Sequence, residues 1–305
     1  MRLQKGESDM LKGIDVSYCE TKVDWNAVKS SGLADFVIIR AGYGKLASQK
    51  DFMFESHYAG AKKAGIPVGA YWYSYAKSVS EMQTEAKVFL QTIAGKQFEY
   101  PVYLDFEEKS QFALGRAKCS EMAKAFLDIL ENAGYYAGLY CSTSYLKNYF
   151  TDEIKNRYTI WLAHYGVAKP TYPGTYDIWQ YSSSGSVPGI NRKCDMNYCY
   201  QEDFPEIIKS AGLNGFPKPD NPAPLKSVAE LAQEVLENKW GTGADRKARL
   251  TAAGYDYAAV QKAVNEILKQ NEQSVPEPIE TPEKETIQVT AVKDGKTFSG
   301  TLTEQ

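Results

Sequence analysis

The chain has 305 residues, 43% of them hydrophobic and 24% charged, with a formal net charge of -3. Such a length fits about two domains, or one barrel with additions, and the composition holds enough apolar material for a full core. A near-neutral balance without a dense Lys/Arg cluster excludes a polyanion binder, so no nucleic acid is expected as partner, and no apolar run of about 18 residues is present to insert in a membrane.

Residues 1–10, "MRLQKGESDM", lack an apolar h-region and read as an exposed extension, with no recognisable signal peptide. From 11 to 212, strand-like and helix-like segments alternate. "LKGIDVS" is a strand and "DWNAVKSSG" a short helix. "DFVIIRAG" is a buried strand, followed by a helix over 51–64. "IPVGAYWYSYA" leads to a helix from about Ser80 to Ile93, and "YPVYLDFE" to one from about Ala117 to Asn132. "YAGLYCS", "YTIWLAHY" and "TYDIWQYS" are further strands, with less helix between the last ones. Alternation of this kind argues for an α/β fold with a mainly parallel sheet. About eight strands in this span favour an irregular closed β/α barrel over an open doubly wound sheet. No G-x-G-x-x-G or Walker loop appears, which weakens a nucleotide-binding reading.

A Pro-rich linker spans 213–226, with four prolines in "FPKPDNPAPLK". Residues 227–270 read as a separate unit of three short helices, opened by a Ser227/Glu230 capping box. That unit is near the lower size limit for folding alone. An acidic, Pro-rich linker covers 271–285, and residues 286–305 alternate as a β-hairpin around Asp294-Gly295. An isolated hairpin is marginal in water, so it is expected to dock or to pair with another copy.

Only two histidines, His57 and His164, are present, which excludes a multi-histidine metal centre and leaves few candidates for a Ser-His-Asp mechanism. Five scattered cysteines without a C-x-x-C pair argue for reduced structural thiols, not a disulfide framework. The 22 Tyr, 12 Phe and 5 Trp serve core packing first, and leave flat faces with polar edges for a cleft that suits sugars.

The informative stretch is "YPVYLDFEEKS". Strand side chains alternate faces, so Tyr103, Asp105 and Glu107 share one face and Val102, Leu104, Phe106 and Glu108 the other. In a barrel the first set points inward at the carboxyl ends of the strands, where such active sites lie. Glu108 then falls at the strand exit and turns to water. A solvated strand end explains Glu108 but not the Tyr-x-Asp-x-Glu face. Two facing carboxylates are the apparatus of glycoside hydrolysis, in which one must hold a proton at neutral pH. Asp15 in "GIDVS" ends the first strand and Asp195 in "CDMN" follows the last ones, and both reach the same mouth. Four carboxylates on one rim imply a reaction.

Several segments together resemble the glycoside hydrolase family 25 lysozymes: "KGIDVS", "VIIRAGYG", "GAYWYSYA", "YLDFEE", "YCSTSYL", "IWLAHY", "DIWQYSSSGSVPGI" and "CDMN", in family order over about 11–200. The resemblance implies hydrolysis of the β-1,4 bond between N-acetylmuramic acid and N-acetylglucosamine in peptidoglycan, without metal or cofactor. It implies Glu107 as general acid. Asp105 becomes its partner, orienting the substrate acetamido group or stabilising positive charge, with Asp15 and Asp195 as the other acidic cleft residues. Arg40, Tyr43, Tyr73, Trp161 and Trp179 resemble cleft-wall positions. Substrate-assisted and inverting routes both stay open.

The segment "NKWGTGADRKARLTAAGYDYAAVQKAVN" resembles the cell-wall-binding repeat of choline-independent pneumococcal phage lysozymes. Its implied ligand is the peptidoglycan muropeptide, with Trp240, Gly243, Arg246 and Arg249 as candidate contacts; helix-surface charge and core packing are the competing reading of these residues. Such repeats come in tandem, and one copy is present, so self-association through the hairpin is expected to restore avidity. The leading expectation is a phage or prophage endolysin, made in the host cytoplasm, released by a holin or lysis, and acting on the wall. The competing expectations are a host autolysin, a chitinase-like glycosidase, or a non-catalytic wall-binding protein on the same fold.

Overall fold

The structure, a computed structural model, describes residues 10–218, 226–273 and 286–303. All but the last residue of the expected extension, half of the first Pro-rich linker and most of the second lie outside the described residues. Eight strands close into a barrel in sequence order: β1 (Leu11–Val16), β2 (Phe36–Tyr43), β3 (Val68–Tyr73), β4 (Val102–Asp105), β5 (Ala137–Ser142), β6 (Thr159–Ala163), β7 (Ile178–Gly185) and β8 (Cys194–Cys199). Around and between them run α1 (Trp25–Ser30), α2 (Phe54–Lys63), α3 (Val79–Ile93), α4 (Lys109–Phe112), α5 (Arg116–Asn132), α6 (Thr143–Tyr149), α7 (Asp152–Arg157) and α8 (Phe204–Ser210).

Strands β1 to β7 are parallel to their neighbours, whereas β8 is antiparallel to both β7 and β1. The short β7–β8 connection explains the reversal, because a parallel pair needs a crossover of a dozen or more residues. Alternation sorts the side chains into two layers. Ile38, Tyr71, Tyr103, Tyr140, Trp161 and Ile178 fill the lumen, while Val37, Ile39, Leu104 and Leu139 pack outward in the layer shared with helices such as α3 and α5. Fully burying one such side chain contributes about 1.5–3 kcal/mol. Gly138 makes room for this packing, since a Cβ there would sit 2.4 Å from the Tyr103 ring.

Reversal of β8 brings its end, Cys199, beside Leu11 at the start of β1. Helix α8 therefore turns under the barrel and closes the end opposite the strand exits. Phe204 packs on Tyr100 and Tyr136, which precede β4 and β5, at ring separations of 5.7 and 5.6 Å. Asn214, beyond the expected barrel limit at 212, is wholly buried in this closure. Its amide donates to the carbonyls of Phe98 (3.1 Å) and Tyr100 (2.8 Å) and accepts the Tyr136 N–H at 2.7 Å.

Three further helices follow: α9 (Val228–Leu236), α10 (Gly243–Ala252) and α11 (Tyr257–Gln273). The Ser227/Glu230 box is formed, and Leu231, Ala232, Val235, Leu250, Val260 and Val264 make a small core. This unit does not stand clear of the barrel, because α10 is docked on the barrel's closed end. Ala244 and Ala248 join the apolar cluster of Phe204, Ile207 and Ile208. Lys247 pairs with Glu131 at 2.6 Å, and Arg249 pairs with Asp203. The small outward residues of α10 allow this approach.

Strands β9 (Thr286–Lys293) and β10 (Lys296–Thr303) form the expected hairpin. Asp294 and Gly295 both have positive φ, 52° and 69°, as the tight two-residue turn requires.

Candidate active site

The mouth of the barrel gathers four carboxyl groups. Asp15 is the penultimate residue of β1, Asp105 ends β4, and Asp195 enters through the reversed β8, directly opposite Asp15 in register. Glu107 belongs to no strand. β4 stops at Asp105, so the alternation argument ends there, and the turn into α4 sets the Glu107 side chain. That side chain keeps one face open to solvent, whereas Asp15 and Asp105 are buried.

Asp15 is the hub of a hydrogen-bond network. Its Oδ2 accepts Gln180 Nε2 at 2.9 Å and Asn197 Nδ2 at 2.8 Å. Gln180 accepts the hydroxyls of Tyr140 (2.7 Å) and Tyr165 (2.5 Å), and Asn197 accepts Trp161 Nε1 at 2.8 Å. Burial, then repulsion from Asp195, raises the Asp15 carboxyl well above its ordinary value, against the two amide donors. Asp195 is half-buried, and desolvation pushes it up to about 6 although a hydrogen bond from Asp15 opposes the rise. Two carboxyl groups this close resist being ionised together.

Asp105 is raised well above the usual carboxylate range by burial, then by Glu107 and Asp15, against the Arg40 guanidinium. Its buried Oδ1 has no hydrogen-bond partner among the described residues. Glu107 is raised by desolvation at the mouth, then by the charges of Glu108 and Asp195. The expectation that Glu108 simply turns to water is corrected. Glu108 is half-buried and accepts the Tyr73 hydroxyl at 2.9 Å.

Of the expected wall residues, Arg40, Tyr43 and Tyr73 lie at the mouth. Arg40 Nε binds Asp51 at 2.8 Å, Tyr43 packs edge-on against Tyr75, and Tyr73 reaches Glu108. Two expectations are corrected. Trp161 is 1% exposed, ringed by Tyr71, Tyr103 and Tyr140, so it fills the lumen beneath the carboxylates and forms no cleft wall. Trp179 is buried on the opposite face of β7 from Gln180, where its Nε1 donates to the His164 carbonyl at 2.8 Å. Gln180, not Trp179, is the β7 residue that reaches the acids. Gln180 and Asn197 went unnoticed in the sequence, although Asn197 lies two positions from Asp195 on the same strand face.

The four candidates in the helical repeat all have internal partners. Trp240 donates to Glu234 at 2.9 Å and packs against Tyr255. Arg246 donates to the Gly241 carbonyl at 3.1 Å and to Gln261 at 3.0 Å. Arg249 bridges Asp245 and Asp203. Gly243, with φ of 55°, abuts α7, where an added Cβ would lie 2.7 Å from the Asn156 carbonyl oxygen. These residues build the repeat and its dock in this structure.

A closed β/α barrel whose mouth collects four carboxyl groups, one of them open to solvent, carries the working parts of a glycoside hydrolase. Comparison with known proteins gives the family: the glycosyl hydrolases family 25 model matches residues 14–190, and a CW_7 repeat matches residues 229–268. The chain belongs to glycosyl hydrolase family 25. It is 29% identical over 259 residues to the autolytic lysozyme of Clostridium acetobutylicum, covering 76% of each chain. It is 30% identical over 212 residues to the lysozyme of Streptococcus phage Cp-7, covering 66% of this chain and 56% of that one. The crystal structure of the CTP1L endolysin superposes with a TM-score of 0.59 at 26% identity, covering 75% of this chain and 79% of that one.

Proposed function

We propose that the chain is a muramidase that hydrolyses the β-1,4 bond between N-acetylmuramic acid and N-acetylglucosamine in peptidoglycan. The observation that carries this reading is the grading of the four acids: three are buried or paired, and Glu107 alone combines a raised pKa with an open face. Glu107, protonated, donates to the glycosidic oxygen as the bond to the anomeric carbon breaks. Water supplies the hydroxyl to that carbon and its other proton to a carboxylate. Asp105 acts as the partner of Glu107, orienting the substrate acetamido group or stabilising positive charge. The Asp15–Asp195 pair holds one negative charge against the positive charge that develops on the sugar.

A phage lysozyme and an endolysin among the similar proteins support the endolysin reading, to which release through a holin or host lysis belongs as part of the proposal. The single CW_7 repeat supports retention on the wall, and we assign the hairpin to pairing with a second copy. The test of the chemistry is Glu107→Gln. This variant is expected to lose wall lysis by several orders of magnitude while still binding walls. Normal lysis would remove Glu107 from the acid role.

A further inference from the structure

A single exposed aromatic ring is ordinary on a folded surface. Phe52 is not single. Its ring is 71% exposed and lies 5.8 Å from the ring of Tyr18, itself 45% exposed. The Arg40 guanidinium backs Tyr18, 4.4 Å from its ring centroid. A buried carboxylate, Asp51, fixes all three. Its Oδ2 accepts the Tyr18 N–H at 2.9 Å and Arg40 Nε at 2.8 Å, and its Oδ1 accepts the Met53 N–H at 2.9 Å. Asp51 N–H in turn donates to the Ala41 carbonyl at 2.9 Å, and Phe54 N–H to the Asp51 carbonyl at 3.1 Å. The main chain is thus pinned on both sides of Phe52 while the ring stands in water. Burial that would favour folding is left unused, and the ring arrives pre-ordered for a ligand.

These rings continue the catalytic mouth. Tyr18 lies two residues past β1, whose Asp15 is in the acid cluster. Around the rim from Arg40 stand Tyr43, its ring 5.9 Å from the guanidinium, then Tyr75 at 6.0 Å from Tyr43, then Tyr73 at 4.8 Å from Tyr75. Tyr73 touches Glu108, beside Glu107. An arc of flat faces with polar edges therefore runs from the acid to Phe52. Such faces fit the CH side of a pyranose ring, with hydroxyls free to meet water.

We propose that Phe52 and Tyr18 form an outlying sugar subsite, holding one pyranose of the glycan strand beyond the units that flank the scissile bond and favouring long strands over short ones. This rests on the muramidase reading. The test compares kcat/KM on peptide-free long glycan strands with kcat/KM on a tetrasaccharide. Phe52→Ala is expected to lower the ratio of the two roughly five- to tenfold through KM, and Phe52→Trp to restore it. An unchanged ratio, or an equal fall on both substrates, overturns the subsite. A wild-type protein that releases no reducing ends from either substrate removes the muramidase reading instead. The subsite is then decided by direct binding of the long strand, which Phe52→Ala weakens by a similar factor if the platform holds sugar and leaves unchanged if it does not.

Discussion

At the barrel mouth, Glu108 accepts the Tyr73 hydroxyl, and its charge adds to desolvation in keeping a proton on Glu107. Removing that charge by Glu108→Gln lowers the Glu107 pKa. A general acid works while protonated, so the alkaline limb of the pH profile moves to lower pH. Lysis is expected to fall several-fold on the alkaline side of the profile and to change little on its acid side. A profile that superimposes on the wild type, or whose limb moves up, contradicts this. Sequence alternation brings Tyr103 and Asp105 to the right face, but it ends with the strand. The bond to Glu108 runs from Tyr73 on the neighbouring strand, 35 positions away, and no local pattern records it.

The segment after β3 carries Tyr75 and is held from beneath by Glu85 on α3, which accepts the Tyr75 N–H at 3.1 Å, and by Gln111, which donates to Ser74 Oγ (3.0 Å) and the Ala76 carbonyl (2.9 Å). Burial pushes the Glu85 carboxyl, 1% exposed, up to about 7. Its folded pKa lies above its unfolded one, so the native state binds the extra proton. The stability this gives is complete below the ordinary glutamate range, falls as pH rises towards 7, and is gone above it. A rise of that size corresponds to roughly 3 kcal/mol. Relative to Glu85→Gln, the wild type should lose about that much between about pH 4.5 and 8, measured by urea unfolding. Parallel pH curves for the two proteins rule it out. The helix itself was legible, because Met82, Ala86, Phe89 and Ile93 make an apolar stripe. Glu85 falls within that stripe and reads from sequence as a surface charge, since its partners come from the segment after β3.

Across the whole molecule, the strand and helix patterns yield the barrel, the three small helices and the hairpin, while the joins between them stay hidden. Lys247 and Glu131 are 116 positions apart, and Ala244 and Ala248 look like plain helix formers until Ile207 and Ile208 pack against them. With the repeat docked on the closed end, the hairpin remains, among the described residues, a two-stranded ribbon paired to no other sheet. In its register Val289, Ala291 and Phe298 share one face with Lys293 and Lys296, and Gln288, Thr290, Val292, Ser299 and Thr301 share the other. Phe298 is 59% exposed, an apolar ring that a second ribbon would cover. Sedimentation at micromolar concentration is expected to show a dimer that Phe298→Asp converts to monomer. A wild-type monomer with wall binding intact contradicts the pairing, because one weak site then suffices.

Mass spectrometry of purified peptidoglycan digested by the wild-type protein tests the central claim most directly. The account predicts fragments whose new reducing ends are N-acetylmuramic acid, because the acid at the mouth protonates the oxygen leaving that sugar. New ends on N-acetylglucosamine, or intact glycan strands, would contradict it.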